Sequence, residues 1–177
     1  SAVAVETLCL PELVARGVRV TNTRGVQAVP IAEHVLAVVL AFAKQLPFVL
    51  ENQRQAHWAQ NAFTGDRLPW LLRDRTLGLV GVGTIGSEIA ARAKAFGMRV
   101  VAMRRQPGAP AGPGIDAVYG PGQLPELLAH SQVLVVAAPL TPDTEGLIGA
   151  REFAQLPAGA VFVNVGRARI VHTDALV

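Results

Sequence analysis

Apolar and polar positions along the second half of the chain fall into two alternating periods. Leu77 to Val80 is a short apolar run, which predicts a strand buried on both faces. Beyond it Ile85, Ile89, Ala93 and Phe96 recur near helical period, and Gly97 stands where a helix C-cap would. Met98 to Met103 predicts a second strand. Prolines and glycines crowd Gln106 to Gly114, which predicts a loop. Leu124–His130 and Ala150–Leu156 then read as short helices, Val133–Ala137 and Val161–Val165 as buried strands, and Asp174 as a helix start. Regular alternation of strand and helix predicts an α/β fold with a doubly wound parallel sheet. Ligands of such sheets collect at the carboxyl ends of the strands.

The first half is patterned differently. Residues 1–23 read as part of a βαβ unit: a strand at Val3–Val5, a helix at Pro11–Arg16 stopped by Gly17, and a strand at Val18–Thr21. A connector, Arg24–Val29, leads to Pro30, placed as a first helical residue. Ile31 to Leu46 is apolar almost all round, so the helix must be buried on most sides, between domains or at a subunit contact. Pro47 punctuates it, and Phe48 to Trp58 continues as a more polar helix. A loop with Gly65 and Pro69 leads to the first strand of the sheet.

The turn after Val80 carries the most specific chemistry. Gly81, Gly83 and Gly86 follow a strand and open a helix in G-x-G-x-x-G spacing. Gly81 allows the tight turn, Gly83 lets backbone approach a pyrophosphate, and Gly86 lets the helix pack closely. The helix N-terminus adds free N–H groups and a positive dipole end. A turn of Gly81, Val82, Gly83, Thr84, Ile85 and Gly86 is therefore a candidate dinucleotide cradle. At the end of the second strand an acidic residue would accept the ribose 2′-OH of NAD, but this chain has Arg104 and Arg105. A guanidinium cannot accept that bond and suits a 2′-phosphate, so NADP(H) is expected over NAD(H).

Composition narrows the alternatives. Hydrophobic residues make up 51% of 177 and charged ones 16%, which is incompatible with disorder. The longest apolar run, Val35 to Ala43, is too short to cross a bilayer, and no membrane partner is expected. A single cysteine, Cys9, cannot build a disulfide framework, and with no secretory leader a cytoplasmic setting is expected. The net charge of +3 is dispersed among acids and apolar residues, so nucleic acid is not an expected partner. No metal site is expected.

Several motifs together resemble the D-isomer-specific 2-hydroxyacid dehydrogenases. They are Ala32-Glu33-His34, the glycine turn, Gly97-Met98-Arg99-Val100-Val101-Ala102, Pro139-Leu140-Thr141-Pro142-Asp143-Thr144 and Asn164-Val165-Gly166-Arg167. The resemblance implies a Rossmann-type NAD(P)-binding domain over residues 26–177, incomplete at its C-terminus. Residues 1–25 would be the end of a flavodoxin-like substrate domain. It also implies that Arg167 binds the substrate carboxylate and polarises the carbonyl that receives hydride. Ala138, Pro139, Leu140 and Thr141 would line the adenine side, Val165 and Gly166 would border the nicotinamide, and backbone amides of Ala4 and Val5 would hold the carboxylate. Ala4 and Ala168 stand where the family usually has glycine, and an alanine would be costly there if φ were positive. The implied partner beyond a small 2-keto or 2-hydroxy acid is a second copy, as a homodimer.

The family's catalytic glutamate and histidine lie beyond the arginine, and none of His34, His57, His130 and His172 substitutes for them. The chain is accordingly expected to be the middle of a longer enzyme, without reductase activity as it stands. A non-catalytic dinucleotide-binding module of corepressor type is the alternative.

Overall fold

The computed structural model describes residues 11–19, 21–108, 110 and 112–176. In chain order the elements are α1 (Pro11–Ala15), α2 (Ala28–Ala43), α3 (Leu46–Arg54), β1 (Thr76–Val80), α4 (Thr84–Ala95) and β2 (Arg99–Met103). They continue with β3 (Ala117–Tyr119), α5 (Leu124–His130), β4 (Val133–Val136), α6 (Ala150–Phe153) and β5 (Val161–Asn164). The five strands form one parallel sheet in the order β3-β2-β1-β4-β5. The chain runs outward from β1 through β2 to β3, then returns to lay β4 on the other side of β1. Connections diverge there, which opens a crevice at the carboxyl edge.

Burial follows from this topology. All five residues of the central strand β1 are buried. Side chains alternate between two apolar layers. Leu77, Leu79, Val100, Ala102, Val133 and Val135 pack with Val35 and Val39 of α2 and Ile89 and Ala93 of α4. Val80, Val101, Met103, Leu134 and Val136 pack with Leu124, Leu127 and Leu128 of α5. Between these layers Gly78 leaves room for Ser131, whose hydroxyl donates to the Leu127 carbonyl at 2.6 Å.

The glycine helix α4 lies against α2. At the rim Arg92 pairs with Glu88 of its own helix and with Glu33 of α2 at 3.8 Å. Ala32 is fully buried beneath that pair, and His34 is exposed. Helix packing thus accounts for Ala32 and Glu33 of the motif.

Elsewhere the boundaries differ from expectation. Helix α2 begins at Ala28, so Pro30 is its third residue; an N–H there would find no intrahelical acceptor, so proline costs nothing. Only one face of α2 is buried; Val29 and Phe42 are exposed. Gln45, at φ 56°, turns the chain, and α3 follows at an angle of 67° to α2. Helix α3 stops at Arg54 rather than running to Trp58, because Ala56 adopts φ 51° and the His57 N–H returns to the Asn52 carbonyl at 2.9 Å. Among the described residues no single helix is long and apolar enough to cross a membrane.

No strand forms at Val18, Arg19 or Thr21; Val18 is 48% exposed and has no strand beside it among the described residues. The expected strand at Val3–Val5 lies outside the described residues. Strand β3 was not legible in the pattern because it is three residues long. Helix α6 covers only Ala150–Phe153, and residues from Thr173 form a single 3-10 turn rather than an α-helix.

Candidate functional site

Backbone geometry at the carboxyl edge begins with Gly81. Its φ is +99°, which an L side chain rarely adopts, and its N–H donates to the Met103 carbonyl at 3.0 Å, fastening the turn to the end of β2. A Cβ at Gly81 would fall 2.7 Å from the Cα of Ala138, the residue after Ala137 in the loop that follows β4. A Cβ at Gly86 would meet the Gly81 carbonyl oxygen at 2.5 Å. Both glycines are therefore demanded by the protein's own packing.

Gly83 is not. It is exposed, with φ −106° and ψ −160°, and a Cβ there would meet nothing within 4 Å. Beside that open space the first turn of α4, starting at Thr84, presents N–H groups without intrahelical acceptors. Val82 and Ile85 point the other way and pack on the α2–α4 layer. An uncrowded backbone beside a helix N-terminus suits a diphosphate.

The loop after β4 is held by its threonines. Thr141 N–H donates to Thr144 Oγ1 at 2.8 Å, and that hydroxyl donates to the Pro139 carbonyl at 2.7 Å. Leu140 packs on the α5 layer, and Ala138 is buried. The loop after β5 is pressed against the same residue, since a Cβ at Gly166 would lie 2.9 Å from the Ala138 carbonyl oxygen. Val165 N–H donates to Val136 at 2.9 Å, extending the pairing of β4 with β5. Ala138 thus stands between the glycine turn and the loop that carries Arg167.

Arg167 is half-buried, with extended backbone, and its Nη1 donates to the Gly166 carbonyl at 3.3 Å. Asn164 uses its amide on this loop: Oδ1 accepts from Gly166 N–H at 2.9 Å and Nδ2 donates to the Arg167 carbonyl at 3.1 Å. Ala168 opens a 3-10 turn ending at the buried Ile170, and its φ is not positive, so alanine carries no strain there. Farther out, Arg169 pairs with Glu145 at 2.6 Å and ties the two loops together.

The two arginines after β2 are placed differently. Arg104 continues the sheet, its N–H donating to the Tyr119 carbonyl at 3.1 Å, and its Nη2 donates to the Pro110 carbonyl at 2.8 Å. Its Nε is buried without a hydrogen-bond partner among the described residues, a donor left over at the strand end. Arg105 is exposed.

Gly81 meets both Gly86 and Ala138, Ala138 in turn meets Gly166, Arg167 and Val165 follow on the same edge, and Arg104 and Arg105 stand at the neighbouring strand end. Ala4 and Val5 lie outside the described residues. All four histidines are exposed. Sequence reasoning missed the two clamping side chains, Asn164 and Thr144; their residue types, favoured in turns, were the available signal.

At the opposite edge of the sheet Asp116 makes a structural lock. The Val100 N–H donates to its carboxylate at 2.7 Å and the Lys94 ammonium at 2.9 Å. The Val100 hydrogen bond first, and then the lysine, hold its pKa below the usual aspartate value.

Sheet order, glycine turn and helix N-terminus define a dinucleotide-binding domain of the Rossmann type. The NAD-binding domain of D-isomer specific 2-hydroxyacid dehydrogenases matches residues 36–177, and the chain belongs to that family. It is 34% identical over 99% of its length to glyoxylate reductase from Thermococcus gammatolerans, covering 53% of that protein. Its fold matches the TT0316 protein from Thermus thermophilus with a TM-score of 0.84 at 34% identity, over 99% of this chain and 54% of the other. A D-isomer specific 2-hydroxyacid dehydrogenase from Xanthobacter autotrophicus Py2, solved in complex with NADPH and MES, matches with a TM-score of 0.72 at 32% identity. The match covers 89% of this chain and 61% of that one. The chain spans about half the length of the curated relatives it matches.

Proposed function

We propose that this chain is the dinucleotide-binding part of an NADP(H)-preferring reductase of small 2-keto acids, of the glyoxylate and hydroxypyruvate class. The observation that carries the reading is the placement of Arg167. Its loop packs on Ala138, which also receives the glycine turn, so a guanidinium fork and a diphosphate cradle share one sheet edge. Gly81 through Gly86 would hold the pyrophosphate, Ala138 through Thr141 the adenine side, and Val165 and Gly166 the nicotinamide. When bound, the dinucleotide supplies the hydride.

Arg167 then does two things for the substrate. Its planar donors pair with the carboxylate, and its charge polarises the neighbouring carbonyl, lowering the cost of negative charge on the oxygen as it is reduced. Amides of Ala4 and Val5 would hold the carboxylate from the substrate-domain segment 1–25, with residues 26–177 forming the nucleotide domain. Protonation of the carbonyl oxygen as hydride arrives, to give the hydroxyl, requires a general acid, and the exposed His34, His57, His130 and His172 are not offered for it. The 177 residues alone would bind dinucleotide without turning substrate over.

Arg104 and Arg105 favour NADP(H): two cations and a leftover Nε donor stand at the β2 end, where an acid would serve NAD. The NADPH complex of the Xanthobacter relative is consistent with that preference. The reductases and dehydrogenases among the relatives favour an enzyme over a corepressor-type module. A cytoplasmic homodimer is proposed, with Phe42, Leu46, Val49, Leu50 and the 85% exposed Trp58 forming an apolar face across α2, α3 and the turn beyond.

The test is competitive titration of NADPH and NADH, by quenching of protein fluorescence, against wild type and an Arg104→Ala, Arg105→Ala double variant. Preference for NADPH in wild type and its loss in the variant support the reading. Equal affinities in wild type contradict the cofactor assignment.

A further inference from the structure

We infer that Asn164 is a positioning residue, holding Arg167 in place for an incoming carboxylate; this rests on the reading of Arg167 given above. Asn164 ends β5, and both ends of its amide are spent on the loop that follows. Oδ1 accepts from Gly166 N–H at 2.9 Å, before the arginine, and Nδ2 donates to the Arg167 carbonyl at 3.1 Å, after it. The same carbonyl accepts from Ile170 N–H at 3.1 Å, and Ile170 is fully buried. Gly166 has little room to move, with the Ala138 carbonyl oxygen 2.9 Å from where its Cβ would be.

The consequence is that the chain is fixed to strand β5 at the Gly166 N–H ahead of Arg167 and at the carbonyl of Arg167 itself. A guanidinium hangs on four torsions and loses much freedom when it binds. Fixing its Cα confines the search to the side chain and leaves less to order on binding. Only a side chain that is donor and acceptor at once can make both contacts. Aspartate keeps the acceptor and loses the donor, and alanine loses both.

The experiment titrates glyoxylate into the NADPH-loaded 177-residue chain, as wild type and as Asn164→Ala, Asn164→Asp and Arg167→Ala, beside NADPH titrations and thermal melts. Asn164→Ala is expected to bind glyoxylate roughly tenfold more weakly, the worth of one to two hydrogen bonds. Its NADPH affinity stays within roughly twofold of wild type. Asn164→Asp is equally weak at neutral pH. Relative to wild type at the same pH, it recovers as the new carboxyl protonates and regains a donor. This second variant keeps the test open if the alanine variant does not fold.

A folded Asn164→Ala that binds glyoxylate like wild type overturns the inference, as does a flat pH ratio for Asn164→Asp. Equal losses of glyoxylate and NADPH affinity also overturn it, because they mark general damage to the loop. If wild type itself ignores glyoxylate, or Arg167→Ala binds it undiminished, the reading of Arg167 falls, and this inference with it.

Discussion

Gly81 approaches Ala138 so closely that a Cβ on the glycine would sit 2.7 Å from the alanine Cα. The contact joins the turn after the first strand to the loop after the fourth, and φ at Gly81 is +99° besides. Gly81→Ala therefore combines left-handed strain with overpacking, and a loss of about 2–4 kcal/mol in unfolding free energy is expected. Urea unfolding with linear extrapolation measures it. A loss under about 0.5 kcal/mol would mean that the two loops separate readily.

Gly78 carries a purely structural constraint. A Cβ there would fall on the Ser131 hydroxyl and reach Leu127 Cδ2 at 3.0 Å, in the middle of a fully buried strand. Gly78→Ala should cost roughly 2–3 kcal/mol. Adding Ser131→Gly should recover part of that loss, because it removes the nearer obstacle, and additive effects of the two changes would show that they do not meet.

The Asp116 lock gives a pH dependence with a definite sign. Its folded-state pKa lies below the ordinary value of 3.8, so its contribution to stability is present above that value and fades as pH falls through the lower, folded-state one. Asp116→Asn should accordingly lower the melting temperature at pH 7 and flatten its decline at acid pH. If wild type and variant fell in parallel below about pH 4, the lock would have no role in acid unfolding.

The exposed apolar face of α2 and α3 makes a prediction about assembly. Phe42→Glu with Leu46→Glu should leave the circular dichroism spectrum unchanged and convert a dimer to a monomer in sedimentation velocity. Wild type sedimenting as a monomer would remove the assignment of this face.

The sheet was largely legible in the sequence, and the reason is burial. Leu77–Val80 and Val133–Ala137 are continuous apolar runs because parallel strands between helical layers need no polar face, while Val161–Val165 is broken by Asn164 and its strand, expected to be buried, is only half-buried. Gly97 stopped α4 where expected, at φ +75°. What escaped were elements decided by long-range contacts. Ala117–Tyr119 is strand because β2 offers an edge to pair with, and three residues show no period. Val18, Arg19 and Thr21 have no strand beside them among the described residues, and the β-branched types in that stretch do not make a strand by propensity alone.

At the site, the glycines and Arg167 could be read directly, since spacing and residue type carry their chemistry. Their supports could not. Asn164 and Thr144 act through side-chain contacts to loop backbone, and Ala138 matters only because two loops converge on it. Arg104 and Arg105 look equivalent in sequence, yet one is tied to Pro110 and the other is exposed.

Gly83 gives the most direct test that a diphosphate occupies the turn. The protein leaves its Cβ position empty and its backbone in a region open to alanine, so Gly83→Ala should change unfolding free energy by less than about 1 kcal/mol. NADPH affinity should nevertheless fall by roughly tenfold or more, because the added methyl takes the space next to the helix N-terminus. Titrating NADPH into wild type and Gly83→Ala decides it. Saturation of wild type at or below millimolar levels, with marked weakening in an equally stable variant, is the expected result; equal affinities, or none in wild type, would contradict the account.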